Sequence, residues 1–412
     1  MIENLSWNQL SGIARDHGDA FYLVDLHAFR ANFNELRDAF RVHYPDTQLA
    51  YSYKTNYLPK YCRLVDSWGG HAEVVSPMEY EMALAAGVDG QRIIVNGPYK
   101  SREHLRTALA AGALVNIDAP YQVELLEELV GDLGRRVRVG VRCNFDVGDQ
   151  RVSRFGFDAE GRELEAVVER LRAIRNVDVA GLHFHHPLPG RRPAAYAAVA
   201  RRMVDLSRRL FGRNGPRVLD IGGGYFSKMP REMALQFGPE LPAYADYAAA
   251  VGPVMAAAYP DGGPTLMLEP GVGIVADTAC LVTQVLDVRH VRGVWFAQVS
   301  SSIQAARPTM ARINLPARVV RSPECREGFP GSPVDVVGYT CMENDVIHRG
   351  LCADVAAGDF LVFGNCGAYT NVQKMPFIRA AHAMLSLDAA GRVDEVLRRA
   401  ETTDDVLATY AR

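Results

Sequence analysis

Between residues 48 and 271 the chain alternates short β-rich runs with longer helical patterns, and this alternation constrains its fold more than any other feature. The runs are QLAYSYK (48–54), AEVVS (72–76), RIIVN (92–96), LVNID (114–118), RVRVGVRCN (136–144), VAGLHFH (179–185), RVLDIGG (217–223) and TLMLEPG (265–271). Between them lie segments such as PMEYEMALAAG and RRPAAYAAVARRMVDLSRRLFG, with apolar residues at three- and four-residue spacing and glycine near the stops. Eight strand-then-helix units predict an α/β fold, a (β/α)8 barrel. Periodicity alone does not show closure, so an open doubly wound sheet is the alternative.

After residue 280 the texture changes. CLVTQVLDVRHVRGVWFAQVS, PVDVVGYTC and DFLVFGNCGAY are strand-like runs separated by Pro and Gly without long helices, which predicts a mostly-β C-terminal domain. A chain of 412 residues suits about two domains. The expected division is a barrel over 23–280 and a β domain over 281–412, with the strand-like N-terminal segment 1–22 joining the latter.

Composition removes several classes of function. Apolar residues make up 48% and charged residues 23%, with a net charge of −3 and both signs interspersed. Nothing forms the basic stripe that nucleic acid requires. No apolar run approaches a membrane span, and the start MIENLSWNQL lacks the regions of a signal peptide, so a cytoplasmic protein is expected. The 7 cysteines are scattered without Cys-x-x-Cys spacing, which indicates neither a disulfide framework nor a structural zinc site.

In a (β/α)8 barrel the reacting groups lie at the C-terminal ends of the strands. Those ends carry Lys54, Ser76, Asn96, Asp118, Asn144, His185, Gly222 to Gly224 and Glu269. Lys54 closes an apolar, aromatic run, where burial should lower its pKa and favour a nucleophilic neutral amine; the alternative is a lysine that snorkels to solvent. DIGGGY after a strand offers consecutive backbone N–H groups as a phosphate cradle, or is a simple tight turn. Glu269 in LEPG could hold a pyridine nitrogen protonated, or cap the next turn. GLHFHH places His183 and His185 on one strand face; no carboxylate or thiolate cluster completes a metal set in the sequence, so no metal is expected, and stacking on a flat cofactor suits His185. Amine, phosphate cradle, stacking ring and carboxylate together point to pyridoxal 5′-phosphate, with Lys54 as its Schiff-base amine.

On these residues the chain resembles the fold-type III pyridoxal-phosphate decarboxylases, the diaminopimelate and ornithine decarboxylase family, which pair an alanine-racemase-like barrel with a β domain. YSYKTN resembles that family's lysine motif, and AEVVSPMEYEMALAAG its following segment, with Glu73 for the usual Asp. SRFGF, GLHFH, DIGGGY and LEPG follow in order, and CMENDV and GAYTNV continue into the β domain. The resemblance implies a homodimeric amino-acid α-decarboxylase. It makes Lys54 the Schiff-base residue, His185 the stacking ring, Gly222, Gly223, Gly224 and Tyr369 phosphate contacts, and Glu269 the pyridine-nitrogen partner. It also makes Cys341, from the partner subunit, the proton donor to Cα, and assigns Asp345 with it to substrate binding.

The chain also departs from the family pattern. His185 is followed by His186, Pro187 and Leu188 in place of a Ser-containing phosphate turn, and Val272 stands where Glu-Pro-Gly-Arg has arginine. Arg191 and Arg192 follow closely enough for one to substitute, or both begin the next helix and face solvent. Met342 replaces the glutamate that grips a distal amino group in diaminopimelate decarboxylases, which argues against meso-diaminopimelate. Ornithine, lysine, acyl-modified amino acids and citryl-diaminopropionate of siderophore biosynthesis stay open as substrates, with distal contacts expected from loops 145–153 and 303–332. A racemase on the same fold is the first rival reading, although KTNYLPKYC lacks the Gly-His continuation of racemases; a non-catalytic regulator is the second.

Overall fold

The computed structural model describes residues 4–148, 151–309, 312–324 and 332–411. Residues 149–150, 310–311 and 325–331, parts of the two loops expected to contact substrate, lie outside the described residues. The chain divides into two compact units, one formed by Asn32–Phe226 and Pro242–Gly273, the other by Met1–Ala31, Ser227–Leu241 and Ile274–Arg412.

The first unit is a closed parallel barrel. Its strands are β1 (Thr47–Ser52), β2 (His71–Val74), β3 (Ile93–Val95), β4 (Leu114–Ile117), β5 (Val137–Asn144), β6 (Val177–His183), β7 (Val218–Asp220) and β8 (Thr265–Leu268). Each pairs in parallel with the next, and β8 returns to β1 with Leu266 opposite Thr47, so the sheet has no edge and the open alternative is excluded.

The barrel interior changes character along its length. Ala50, Ile94, Leu114, Ala180 and Met267, from five of the eight strands, form a buried apolar layer. Towards the C-terminal ends the buried residues become polar: Ser52, Glu73, Asn96, Asn116, His183, Asp220 and Glu269. Gly140 makes this possible at one point, since a Cβ there would lie 1.9 Å from Asn116 Oδ1. Polar groups in so dry a place must satisfy one another.

Helices start abruptly after several strand-end loops because proline occupies their first turn: Pro59–Ser67 after β1, Pro77–Ala85 after β2, Pro120–Leu129 after β4 and Pro193–Phe211 after β6. Ser76 is consumed in this way. Its side chain caps Pro77–Ala85 by accepting from Glu79 N at 3.2 Å, so it braces a helix start.

The second unit is built on a mostly antiparallel sheet. The long strand Ala279–Val291 pairs with Ala20–Val24, Val294–Val299 and Phe360–Phe363. Ala20–Val24 crosses the expected boundary at residue 23, yet it pairs along its whole length with Thr283 to Ala279 and also runs parallel to Ala383–Leu387. Phe21 and Leu23 pack with Leu10, Ile13, Val282 and Leu385 in one core, which holds the N-terminal helix Trp7–His17 and that strand in this unit.

Candidate active site

Lys54 stands two residues beyond β1. Its Nζ contacts Ser52 Oγ at 3.3 Å and forms an ion pair with Glu73 Oε2. Burial works to lower the Lys54 pKa, but Glu73 and Glu269 outweigh it, and the net shift is upward. The expectation of a neutral amine is thereby corrected: two carboxylates hold Lys54 as a cation in this state.

Glu73 is fully buried and shared. Its Oε2 accepts from Ser52 Oγ at 2.6 Å as well as from Lys54, and its Oε1 accepts from Asn96 Nδ2 at 3.0 Å. Asn96 also donates to Glu269 Oε1, and its own carbonyl accepts from Asn116 Nδ2 at 2.8 Å. The Asn96 amide, itself held by Asn116, thus joins the carboxylate beside the lysine to the carboxylate beyond β8.

Glu269 lies 3.5 Å from His183 Nε2 and 3.9 Å from His185 Nδ1. Burial alone would raise its pKa, yet His183 and Lys54 keep it below the ordinary carboxylate range. Asp220 moves the opposite way, raised by burial and by the negative charge of Glu269. A protonated Asp220 beside an ionised Glu269 is the arrangement two neighbouring buried carboxyls favour. The sequence shows His183 without carboxylates for company, whereas the fold brings Asp220 and Glu269 within 4.8 Å of it. These two come from β7, which pairs with the His183 strand β6, and from beyond β8, which pairs with β7.

His185 is fixed from two sides. Gly223 N donates to its Nδ1 at 3.2 Å, and Arg142 Nη2 donates to its carbonyl at 2.9 Å. Burial pushes its pKa down to about 3, so the ring is neutral and carries its proton on Nε2. Arg142 in turn pairs with Asp118 at 2.8 Å, and Asp118 accepts from Gly156 N at 2.9 Å. Asp118 and Asn144, which donates to Ser153 O at 2.8 Å, therefore brace the loop after β5.

The glycine run is less free than its sequence suggests. Gly222 N donates to Asp220 Oδ1 at 2.8 Å and Gly223 N to His185. Among the described residues, the N–H groups of Gly224 and Tyr225 have no protein partner. Gly222 and Gly224 adopt positive φ (72° and 96°), and a Cβ on Gly223 would lie 2.0 Å from the Glu269 carbonyl oxygen. Here glycine is required by the fold of the cradle itself.

In the second unit, Cys341 is exposed in the 338–345 loop between strands Val334–Val337 and Val346–Leu351. Asp345, expected to touch substrate, is buried and commits both carboxylate oxygens to backbone, accepting from Ile303 N at 2.7 Å and Thr340 N at 3.0 Å. It fixes the loop that carries Cys341. Tyr369 holds a positive φ of 67°, a strained backbone for a bulky side chain of the kind that collects at functional sites.

The barrel residues fit pyridoxal phosphate: an amine at a strand end, a ring held at a fixed angle, an ionised buried carboxylate, and a turn in which side chains are sterically forbidden. Comparisons with known proteins agree. Residues 28–276 match the family described as pyridoxal-dependent decarboxylase, pyridoxal binding domain. A diaminopimelate decarboxylase of Actinosynnema pretiosum subsp. auranticum is 30% identical, over 96% of this chain and 89% of its own. The L-glutamyl-[BtrI acyl-carrier protein] decarboxylase of Niallia circulans is 26% identical, over 98% and 97%. The crystal structure of diaminopimelate decarboxylase from M. jannaschii shares the fold, with a TM-score of 0.85 at 23% identity over 97% and 94% of the two chains. The chain belongs to the pyridoxal-phosphate-dependent decarboxylases, as an amino-acid carboxy-lyase built on an alanine-racemase-like barrel with a β domain.

Proposed function

We propose that this chain is an α-decarboxylase of a modified amino acid, with Lys54 holding the cofactor's aldehyde carbon and Cys341 delivering the proton to Cα. The observation that carries the reading is the network Lys54–Glu73–Asn96–Glu269, which joins a strand-end amine through a buried carboxylate and amide to an ionised, buried carboxylate. Pyridoxal phosphate, when bound, supplies an electron sink for the pair left on Cα as CO2 departs.

The chain's own groups supply the rest. Lys54 must shed a proton before it can act as a nucleophile, and Glu73, already in contact with Nζ, is the base placed to take it. Glu269, kept ionised, would hold a proton on the cofactor's ring nitrogen. His185 stays neutral and its ring orientation is held, so it can cover a flat face without adding charge. Buried Asp220 holds a proton next to Glu269 and keeps that corner from carrying a second negative charge.

Cys341 is assigned to a homodimer in which each site receives the 338–345 loop of a second copy. Its exposure supports this, together with exposed Met342, Met375, Phe377 and Ile378 on the same unit, apolar surface of the kind that a partner covers. Met342, 43% exposed directly after Cys341, offers no charge to a distal ammonium. This favours an amino acid whose side chain ends in an acyl or carrier linkage, as in the substrate named for the Niallia circulans relative; a citryl-linked diamino acid of siderophore assembly belongs to the same class.

The test is CO2 release from a panel of free, acylated and carrier-linked amino acids, with added cofactor. Release from an acylated or carrier-linked member, lost in Lys54→Ala, is expected. Cα–H exchange without CO2 release would make the chain a racemase, and neither activity with any cofactor-loaded sample would favour a regulator. Among the described residues no helix is long and apolar enough to cross a membrane.

A further inference from the structure

We propose that Arg191 is the side chain that binds the cofactor's phosphate in this protein, with Tyr247 as the residue that positions it. This rests on the cofactor reading above. It begins from a count of donors. A phosphate dianion in a barrel mouth needs several charge-assisted hydrogen bonds. Gly222 and Gly223 spend their N–H groups on Asp220 and His185, which leaves those of Gly224 and Tyr225. Leu188 is apolar and buried, and Val272 is apolar, so neither adds a donor. Two backbone amides, even with the Tyr369 hydroxyl that the resemblance assigns to the phosphate, bring no positive charge to it.

The turn after β6 supplies the missing group. Arg191 N donates to Leu188 O at 3.1 Å, and both Gly190 (φ 57°) and Arg191 (φ 47°) are left-handed. For arginine that conformation is costly, and strained backbone of this sort persists where the surroundings enforce it. What enforces it is Tyr247. Its hydroxyl donates to Arg191 O at 2.9 Å and accepts from Phe226 N at 3.4 Å, clamping the 188–192 turn to the chain just after the glycine run. The Arg191 guanidinium carbon consequently lies 4.9 Å from the Phe226 ring centroid. Tyr196, stacked on Tyr225 beneath the same loop, donates to Gly223 O at 3.2 Å.

Among the described residues the Arg191 guanidinium has no carboxylate partner, whereas Arg136, Arg142, Arg170 and Arg202 pair with acids, and Arg172 and Arg208 with backbone carbonyls. Arg192, by contrast, is exposed and stands at the N-cap position of Pro193–Phe211 without a side-chain cap. Of the two arginines the sequence leaves open, the fold lays one against Phe226, two residues after Gly224, and leaves the other exposed.

The experiment separates a phosphate contact from general damage by using two ligands. Cofactor-free protein is titrated with pyridoxal phosphate and with pyridoxal, which lacks the phosphate, and dissociation constants are taken by equilibrium dialysis. Arg191→Gln should weaken pyridoxal phosphate by about tenfold or more, the worth of one charge-assisted hydrogen bond, and leave pyridoxal unchanged. Arg191→Lys should recover part of the loss, Tyr247→Phe should lose less but with the same ligand selectivity, and Arg192→Gln should change neither. Equal weakening of both ligands in Arg191→Gln, or weakening of neither, would overturn the assignment. A wild-type chain that binds neither ligand would overturn the cofactor reading, and this assignment with it.

Discussion

The backbone N–H of Gly223 donates to Nδ1 of His185 at 3.2 Å, tying the glycine turn after β7 to the ring that follows β6. The same residue faces the Glu269 carbonyl so closely that a Cβ would sit 2.0 Å from it. Gly223→Ala should therefore destabilise the protein before any cofactor is added, by about 1–3 kcal/mol, the usual cost of overpacking. Urea midpoints of the cofactor-free proteins check this; a variant as stable as wild type would show that the glycine serves the ligand alone.

Arg142 and Asp118 form a buried pair, and Arg142 also holds the His185 carbonyl. Removing one partner leaves a buried charge uncompensated, which costs about 3–5 kcal/mol. Arg142→Met should lose about that much, and Arg142→Met with Asp118→Leu less than the sum of the single changes. The double variant should still bind cofactor poorly, because His185 has lost its anchor. Additive losses in a denaturation cycle would count against the coupling.

If each site takes Cys341 from a second copy, two inactive chains can complement each other. Mixing Lys54→Ala with Cys341→Ala should restore up to roughly a quarter of wild-type activity, since random pairing makes half the dimers mixed and each of those carries one intact site of two. No recovery after verified subunit exchange would place both residues in a site of one chain.

Acid should destabilise the fold earlier than carboxylate titration alone would. Burial pushes His71, His104 and His382 down to about 4 and His185 to about 3, from 6.5. Between those values the unfolded chain binds more protons than the folded one, so stability falls as pH falls through that window. Glu79 acts oppositely: burial raises it from 4.5 to about 7, so the folded state gains stability as pH falls through that range. Asp220, raised by burial and by Glu269, adds to that gain, and His348, lowered by burial, adds to the loss; five groups against two leave a net loss. Urea midpoints should decline from about pH 7 to about pH 5, and a flat profile would contradict the buried, neutral histidines.

Much of the molecule is legible in the chain alone. The eight barrel strands overlap the eight apolar runs, because strand and helix periodicities are local and each unit carries its own. The order of chemistry is local too: Lys54, His185, Gly222 to Gly224 and Glu269 lie just beyond strand ends, where a barrel gathers its reacting groups. What each group does there depends on neighbours far along the chain. Lys54 is read from its strand as a neutral amine, but Glu73 and Glu269 make it a cation. Asp345 is read as a substrate contact, but the backbone at Ile303 and Thr340 claims its carboxylate. Gly223 is read as a free donor, but His185 takes its N–H. Strand periodicity is written in adjacent residues, whereas charge state and hydrogen-bond allocation are settled by whichever groups share a small dry volume, and only closure of the barrel decides which groups those are.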